Sequence, residues 1–491
     1  MPADNPHHAR RWLLLAVIGI AQLMVVLDVT IVNVALPSAQ QDLGFSDDSR
    51  QWVVSAYALA FGSLLLFGGR LGDLFGRKWT FVVGLAGFSV ASAVGGAAQS
   101  LEMLVAARGA QGAFGALLAP AALSLLSTTF TDPQERGKAF GIFGAIAGSG
   151  AAVGLLLGGV LTELLSWRWS LYVNLLFALP AALMAWRLVV NEPDPDRPPL
   201  DVAGTLTATG GLFALVYGLA NSETQSWGDP VTVGMLAAAI VLLGAFVAIE
   251  SRVAHPLLPL RVVADRTRGG SYLAIGISAV SIFGVFLFMT YYLQRTKGFS
   301  PIETGLAFLP MTVAIMATAT TVNIKLLARV GPRPLLTLGL TLGGLAMLWL
   351  AQLDTSSSYA GHVLPALMVL GVGMGNIFAP AFASATYGVR PRDSGVASAM
   401  VNTMQQVGGA LGVALLSTIA ASATTSFAQG GPPTPQLMAQ APVHGFTTAF
   451  YVAAGIFALG AVLCASIMRS IRVEPDEAHP APTEREPALA Q

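Results

Sequence analysis

The sequence predicts an all-α polytopic membrane protein, and three observations carry that prediction. Of 491 residues, 54% are hydrophobic and only 11% are charged, against roughly 25% charged in a soluble domain. A window of about 19 residues finds fourteen apolar stretches of spanning length. The basic residues then sort to one side of the spans so defined. Formal net charge is zero, so nothing in the charge balance points to nucleic acid. The single cysteine, Cys464, cannot form an internal disulfide, and no Cys/His cluster offers a metal site.

The predicted spans are 12–36, 52–69, 79–98, 103–128, 138–162, 169–189, 202–220, 231–248, 271–293, 302–324, 335–352, 363–386, 396–420 and 446–468. Arg10 and Arg11 precede the first as a signal peptide's basic region would, but the span is far longer than a cleavable apolar core, so it reads as a retained signal-anchor helix. Positive charge concentrates in cytoplasmic loops. With both termini inside, 21 of the 26 Lys and Arg fall on the cytoplasmic side; Arg50, Arg168, Arg295 and Lys297 lie outside and Arg108 lies within a span. An odd number of helices would have reversed the later loops and destroyed this pattern.

Two polar connections divide the chain. The stretch 191–201 is rich in Pro and acid, and 252–270 carries His255, Pro256, Pro259, Arg261, Arg266 and Arg268. Six helices over 1–190, a linker with inserted helices seven and eight over 191–270, and six more helices over 271–470 are the expected arrangement, that of a two-halved transporter. The tight turn Gly76-Arg77-Lys78 after helix two has a counterpart in Gly331-Pro332-Arg333 after helix ten. The tail 471–491 reads as a disordered cytoplasmic segment and the outer loop 428–442 as a mobile one, on their Pro, Gly and polar content.

One acid, Asp28, falls deep in the first apolar span. A carboxylate there costs roughly 2.5 to 3.5 kcal/mol on insertion scales, so it is expected to face a partner or a water-filled cavity. Its natural partner is Arg108. Helix one rises outward and helix four descends inward, which puts Asp28 and Arg108 about 12 and 8 Å from the outer ends of their spans at 1.5 Å per residue. The other acids near spans, Glu163, Glu223, Glu250 and Glu303, lie at boundaries. One deep carboxylate implies few protons per cycle and hence neutral or monovalent substrates. No histidine lies deep in a span, which leaves a membrane-embedded enzyme without a nucleophile and base, and no loop is long enough for a sensor domain.

The loop Gly69-Arg70-Leu71-Gly72-Asp73-Leu74-Phe75-Gly76-Arg77-Lys78 between helices two and three resembles the G-x-L-x-D-x-x-G-R-K signature of the major facilitator superfamily. Its glycines permit a tight reversal, and Asp73 can accept from Arg77 or from the start of a neighbouring helix. The segment from Leu27 through Asp28, Asn33 and Pro37 is similar to the first-helix signature of the fourteen-helix drug:proton antiporters of the EmrB/QacA type. So is 104–115, with Arg108, Gln111 and Gly112, to their fourth-helix motif, and 395–412, with Asn402, Gln405, Gln406, Gly408 and Gly409, to their thirteenth-helix pattern.

The resemblance implies two six-helix bundles with a two-helix insert, and a gating role for Gly69, Gly72, Asp73, Gly76, Arg77 and Lys78. It implies proton coupling through Asp28 and Arg108, no cofactor beyond the proton gradient, and export of an amphipathic small molecule by a monomer in a bacterial inner membrane. Asn33, Tyr57, Gln111, Asn376, Phe378, Met400, Asn402 and Gln405 are candidates for the substrate cavity, which should be largely apolar with a few orienting groups. Helix five carries Gly150, Gly154, Gly158 and Gly159, suited to close helix packing. It departs from the antiporter motif at Leu155, where that motif has proline. A proton-coupled importer of a small organic solute on the same fold therefore stays open.

Overall fold

A computed structural model describes residues 10–469 apart from 46, 192–199, 391, 392, 431 and 433. The side chains at a few helical positions, Leu155 among them, also lie outside the described residues, as does the expected tail 471–491. Several helices start where a small polar side chain caps an apolar run. Ser100 begins α4 (Leu101–Thr129), and Asp201 begins α7 (Val202–Thr224). Asp132 and Asp229, each followed by proline, begin α5 (Pro133–Leu164) and α8 (Pro230–Glu250). Such oxygens accept from amides that the helix itself leaves unpaired, and proline has no amide to lose.

The remaining N-terminal helices are α1 (Arg11–Leu43), α2 (Asp47–Phe75), α3 (Arg77–Gly96) and α6 (Trp169–Leu188). After a short α9 (Leu260–Ala264) come α10 (Arg266–Tyr291), α11 (Pro301–Ala317), α12 (Asn323–Val330), α13 (Pro332–Leu350), α14 (Leu364–Ala385), α15 (Ser394–Ala428) and α16 (Pro435–Ile467). Thirteen helices among the described residues are long and apolar enough to cross a membrane. The α5 helix, 32 residues long and so about 48 Å at 1.5 Å per residue, packs against α1, α11 and α14. The tenth predicted span is α11, a π-helical turn Thr318–Val322 and α12 in succession. Further π turns, Tyr292–Thr296 and Tyr359–Val363, extend α10 and lead into α14.

Helices α1 to α6 pack on one another, α10 to α16 do the same, and the two sets meet where α2 and α4 touch α15 and where α5 touches α11 and α14. The α7–α8 hairpin lies against α2 and α15. There Leu66, Ala208, Leu212, Phe246, Leu257, Leu258, Val396 and Ala399 form one buried apolar cluster. Further along, the Trp227 indole donates to Thr418 at 2.8 Å.

The expected mobile loop over 428–442 is corrected: α16 already begins at Pro435, with the Thr434 hydroxyl accepting from the Leu437 amide at 3.2 Å. Thr-Pro is a helix-start signal, but a hydropathy window registers only the apolar part of a helix and so shortened α15, α16 and α1.

Close helix approach rests on glycine. Gly150, Gly154 and Gly158 bring α5 onto Val26, Thr30 and Ile31 of α1, while Gly159 faces Ile302 of α11. A Cβ at Gly68 would collide with the carbonyl of Ala116 and one at Gly408 with that of Gly276, whereas Gly109 has open space around it. Overpacking costs about 1–3 kcal/mol. Gly68→Ala and Gly408→Ala are therefore expected to lower the apparent Tm of the detergent-solubilised protein, and Gly109→Ala to leave it unchanged or raise it. Equal melting of all three would contradict glycine-limited packing.

Candidate functional site

Five helices converge on Asp28. It lies near the middle of α1 and is 0% exposed, facing Arg108 at 2%. The Arg108 guanidinium donates through one Nη to Asp28 Oδ2 at 2.5 Å and to Gln111 Oε1 at 2.8 Å. Arg108 and Gln111 are three apart on α4 and so share a face. The other Asp28 oxygen accepts from Gln111 Nε2 at 3.1 Å and from Asn174 Nδ2 of α6 at 2.7 Å. Ser92 Oγ of α3 accepts from both amides, at 2.7 and 3.3 Å.

From α2, the Val53 carbonyl accepts from Arg108 Nε at 3.3 Å, and the Tyr57 ring lies 4.4 Å from the guanidinium carbon. This stacking is possible because α2 and α4 approach closely at Gly112, where a Cβ would run into the Tyr57 carbonyl. A buried pair repays its desolvation only when the remaining lone pairs and N–H groups are satisfied as well, and here Asp28 has a partner on each oxygen. Two buried atoms of the cluster have none, the Tyr57 hydroxyl and Asn174 Oδ1. The arrangement can exist as an ion pair or, with one proton added to Asp28, as a neutral acid beside a guanidinium that keeps Gln111, Val53 and the Tyr57 ring.

The shared depth of Asp28 and Arg108 expected from the sequence is therefore present. Ser92 and Asn174 were not anticipated as partners of Asp28. Asn174 fits the helix as well as any small polar residue, and its position opposite Asp28 is a product of the packing of α6 against α1.

A second constellation joins the two helix sets at the end of the bundle where α1 begins and α16 ends. Asp73 Oδ1 accepts from the Gly395 amide at 2.9 Å and Oδ2 from the Val396 amide at 3.2 Å, so the carboxylate sits on the positive N-terminus of α15. Arg77 donates to Ser394 Oγ at 2.7 Å, and Ser394 Oγ lies 2.8 Å from Ser124 Oγ of α4. Gly69 allows the contact, since a Cβ there would meet the Gly395 carbonyl and Ala399. Gly76 makes the turn at φ +95°, and Gly72 faces Thr80. Lys78 lies apart from this contact, its ammonium 5.8 Å over the Trp79 ring. Next to Ser394, Asp393 accepts from Arg261 and Arg390 at 2.8 and 3.1 Å, and Arg136 donates to the Ala383 carbonyl of α14 and to Thr386 just past its end at 3.2 and 2.8 Å.

The structure distributes the eight substrate candidates over several contacts. Tyr57 and Gln111 belong to the Asp28 cluster, and the Tyr57 hydroxyl lies 3.6 Å from where a Cβ on Gly115 would stand. Phe378 stacks on Phe382 and packs against Gly148 of α5, in the contact between helix sets. Met400 packs beside the apolar cluster under the α7–α8 hairpin. Asn376 and Asn402 donate to carbonyls of their own helices, those of Val372 and Ser398; Asn33 is exposed and Gln405 half-buried. An apolar or amide side chain on a membrane helix has no feature in the sequence that separates cavity from helix seam.

Comparison with known proteins gives this geometry a family. The model for the Major Facilitator Superfamily matches residues 18–413. The puromycin resistance protein of Streptomyces alboniger is 49% identical over 471 residues, covering 95% of this chain and 93% of that one. The cephamycin export protein of Amycolatopsis lactamdurans is 39% identical, covering 82% and 84%, and the lincomycin resistance protein of Streptomyces lincolnensis 34%, covering 99% and 96%. Among solved structures, a human organic anion transporter shares the fold at a TM-score of 0.64 and 14% identity, covering 93% of this chain and 99% of that one. The chain is thus a multi-pass membrane protein of the major facilitator superfamily, a transporter of small molecules rather than an enzyme.

Proposed function

We propose that this protein exports an amphipathic small molecule of the antibiotic type, out of a bacterial cytoplasm and in exchange for protons, by alternating access. The observation that carries the reading is the fully buried Asp28–Arg108 pair. Protonation of Asp28 removes one charge from the pair, and a state with a different arrangement of α1 against α4 then becomes accessible at lower cost. Relatives named for puromycin or lincomycin resistance and for cephamycin export support the direction of transport. The Lys and Arg distribution supports placing the Asp73 contact on the cytoplasmic side, where it would hold the inner entrance shut.

In this reading Asp28 is the proton carrier, Arg108 its fixed counter-charge, and Asp73 with Arg77 the inner latch. The molecule acts as a monomer with both termini inside and needs no cofactor beyond the proton gradient. The fourteen-helix drug:proton antiporter group is the subfamily that fits the α7–α8 insert.

Three measurements test it. Asp28→Asn in proteoliposomes should abolish efflux driven by a pH gradient while leaving the protein folded; full coupled transport by this variant would remove Asp28 from the role. For the latch, a Ser398→Cys probe in a Cys464→Ser background reports on a position that is 0% exposed. Asp73→Asn should raise maleimide labelling at position 398 several-fold, since it replaces charge-assisted bonds to α15, each worth roughly 1.5–3 kcal/mol, with weaker ones. Unchanged labelling would leave Asp73 without a latching function. Finally, one deep carboxylate implies that monovalent cations are exported faster than divalent ones of the same size. Equal rates would count against a single proton site.

A further inference from the structure

The two amides bonded to Asp28 are not equivalent. Gln111 is committed at both ends: its Oε1 accepts from Arg108, and its Nε2 donates to Asp28 and Ser92. Turning it over would set two donors against the guanidinium. Asn174 is committed at one end only. Its Nδ2 donates to Asp28 Oδ1 at 2.7 Å and to Ser92 at 3.3 Å, while its Oδ1, on a residue 0% exposed, has no partner.

An unpaired buried acceptor next to a carboxylate has a use once that carboxylate gains a proton. An ionised carboxylate only accepts, whereas a protonated one must also donate, and an amide offers a donor on one edge and an acceptor on the other. We propose that Asn174 is a positioning residue that follows the protonation state of Asp28. With Asp28 ionised, Nδ2 donates to it as seen here. With Asp28 protonated, the side-chain amide turns over and Oδ1 accepts the new O–H, so the neutral acid is held within the cluster instead of being left with an unmatched donor. The proton stays on Asp28 throughout, and no bond to Asn174 other than a hydrogen bond is made or broken.

The charged and titratable groups facing Asp28 are Arg108 on α4 and the Tyr57 phenol on α2. From α3 and α6 come Ser92 and Asn174, and α5 meets this part of α1 through Gly150, Gly154 and Gly158. Gln111, the other amide on Asp28, cannot take the proton's hydrogen bond without giving up the one it already makes to Arg108. This inference rests on Asp28 being the group that is protonated, and its test separates the two claims.

Infrared difference spectra of the full chain in liposomes, taken between alkaline and acidic pH, read the protonated carboxyl directly. The wild type should show a carboxylic C=O band that Asp28→Asn abolishes. In Asn174→Leu that band should move to higher frequency, because the acid O–H has lost its acceptor, and pH-driven efflux should fall roughly tenfold, the equivalent of one hydrogen bond. Asn174→Thr, whose hydroxyl both donates and accepts, should keep the wild-type frequency, and Asn174→Ala replaces Asn174→Leu should the bulkier side chain prevent folding. A band that persists in Asp28→Asn, or is missing from the wild type, overturns the proton-carrying role and this inference with it. A band lost in Asp28→Asn but unmoved by removal of the amide leaves the carrier standing and overturns the role of Asn174 alone.

Discussion

A carboxylate held away from both water and lipid is the constraint that organises this molecule. Asp28 is tolerated at the centre of α1 only because α2, α3, α4 and α6 each contribute to satisfying it or its counter-charge. Removing one partner of such a buried pair costs about 3–5 kcal/mol, comparable to much of a domain's net stability. The packing of the first six helices and the chemistry of the site are therefore one problem. The glycines that let α2 and α4 touch are part of the electrostatics, since they bring the Tyr57 ring over the guanidinium.

The same two helices reach the inter-set contact. Tyr57 and Asp73 are both on α2, and Arg108 and Ser124 both on α4. Each pair is separated by about 24 Å of helix at 1.5 Å per residue. Gly68 and Gly112 bring α2 and α4 into close contact between these ends. The buried pair and the contact between the helix sets are thus built on one shared pair of helices.

The legible parts of the molecule were those where composition is informative. In an apolar run any charge stands out, so Asp28 and Arg108 could be paired from depth alone, and Gln111 follows from its helical spacing to Arg108. Pro and acid in the connections marked the insert. Asn174 and Ser92 were hidden because a small neutral polar group perturbs hydropathy little and many helices carry one. The surroundings of Met400, Phe378 and Lys78 were hidden for a related reason: a side chain that packs, stacks or reaches the interface looks the same in sequence whichever surface its helix turns outward. The start of α16 was written in Thr434 and Pro435, yet its surroundings, rich in Gly, Pro and Gln, read as a loop.

The α7–α8 hairpin makes the two flanks of the molecule unequal. Along α2 and α15 the boundary between the helix sets is roofed by Leu212, Phe246 and the Trp227–Thr418 bond. Along α5 and α11, where Leu156 abuts Gly305, no helix of the hairpin packs among the described residues. Lipid on the two flanks of that boundary therefore meets different surfaces, the hairpin on one and α5 with α11 on the other.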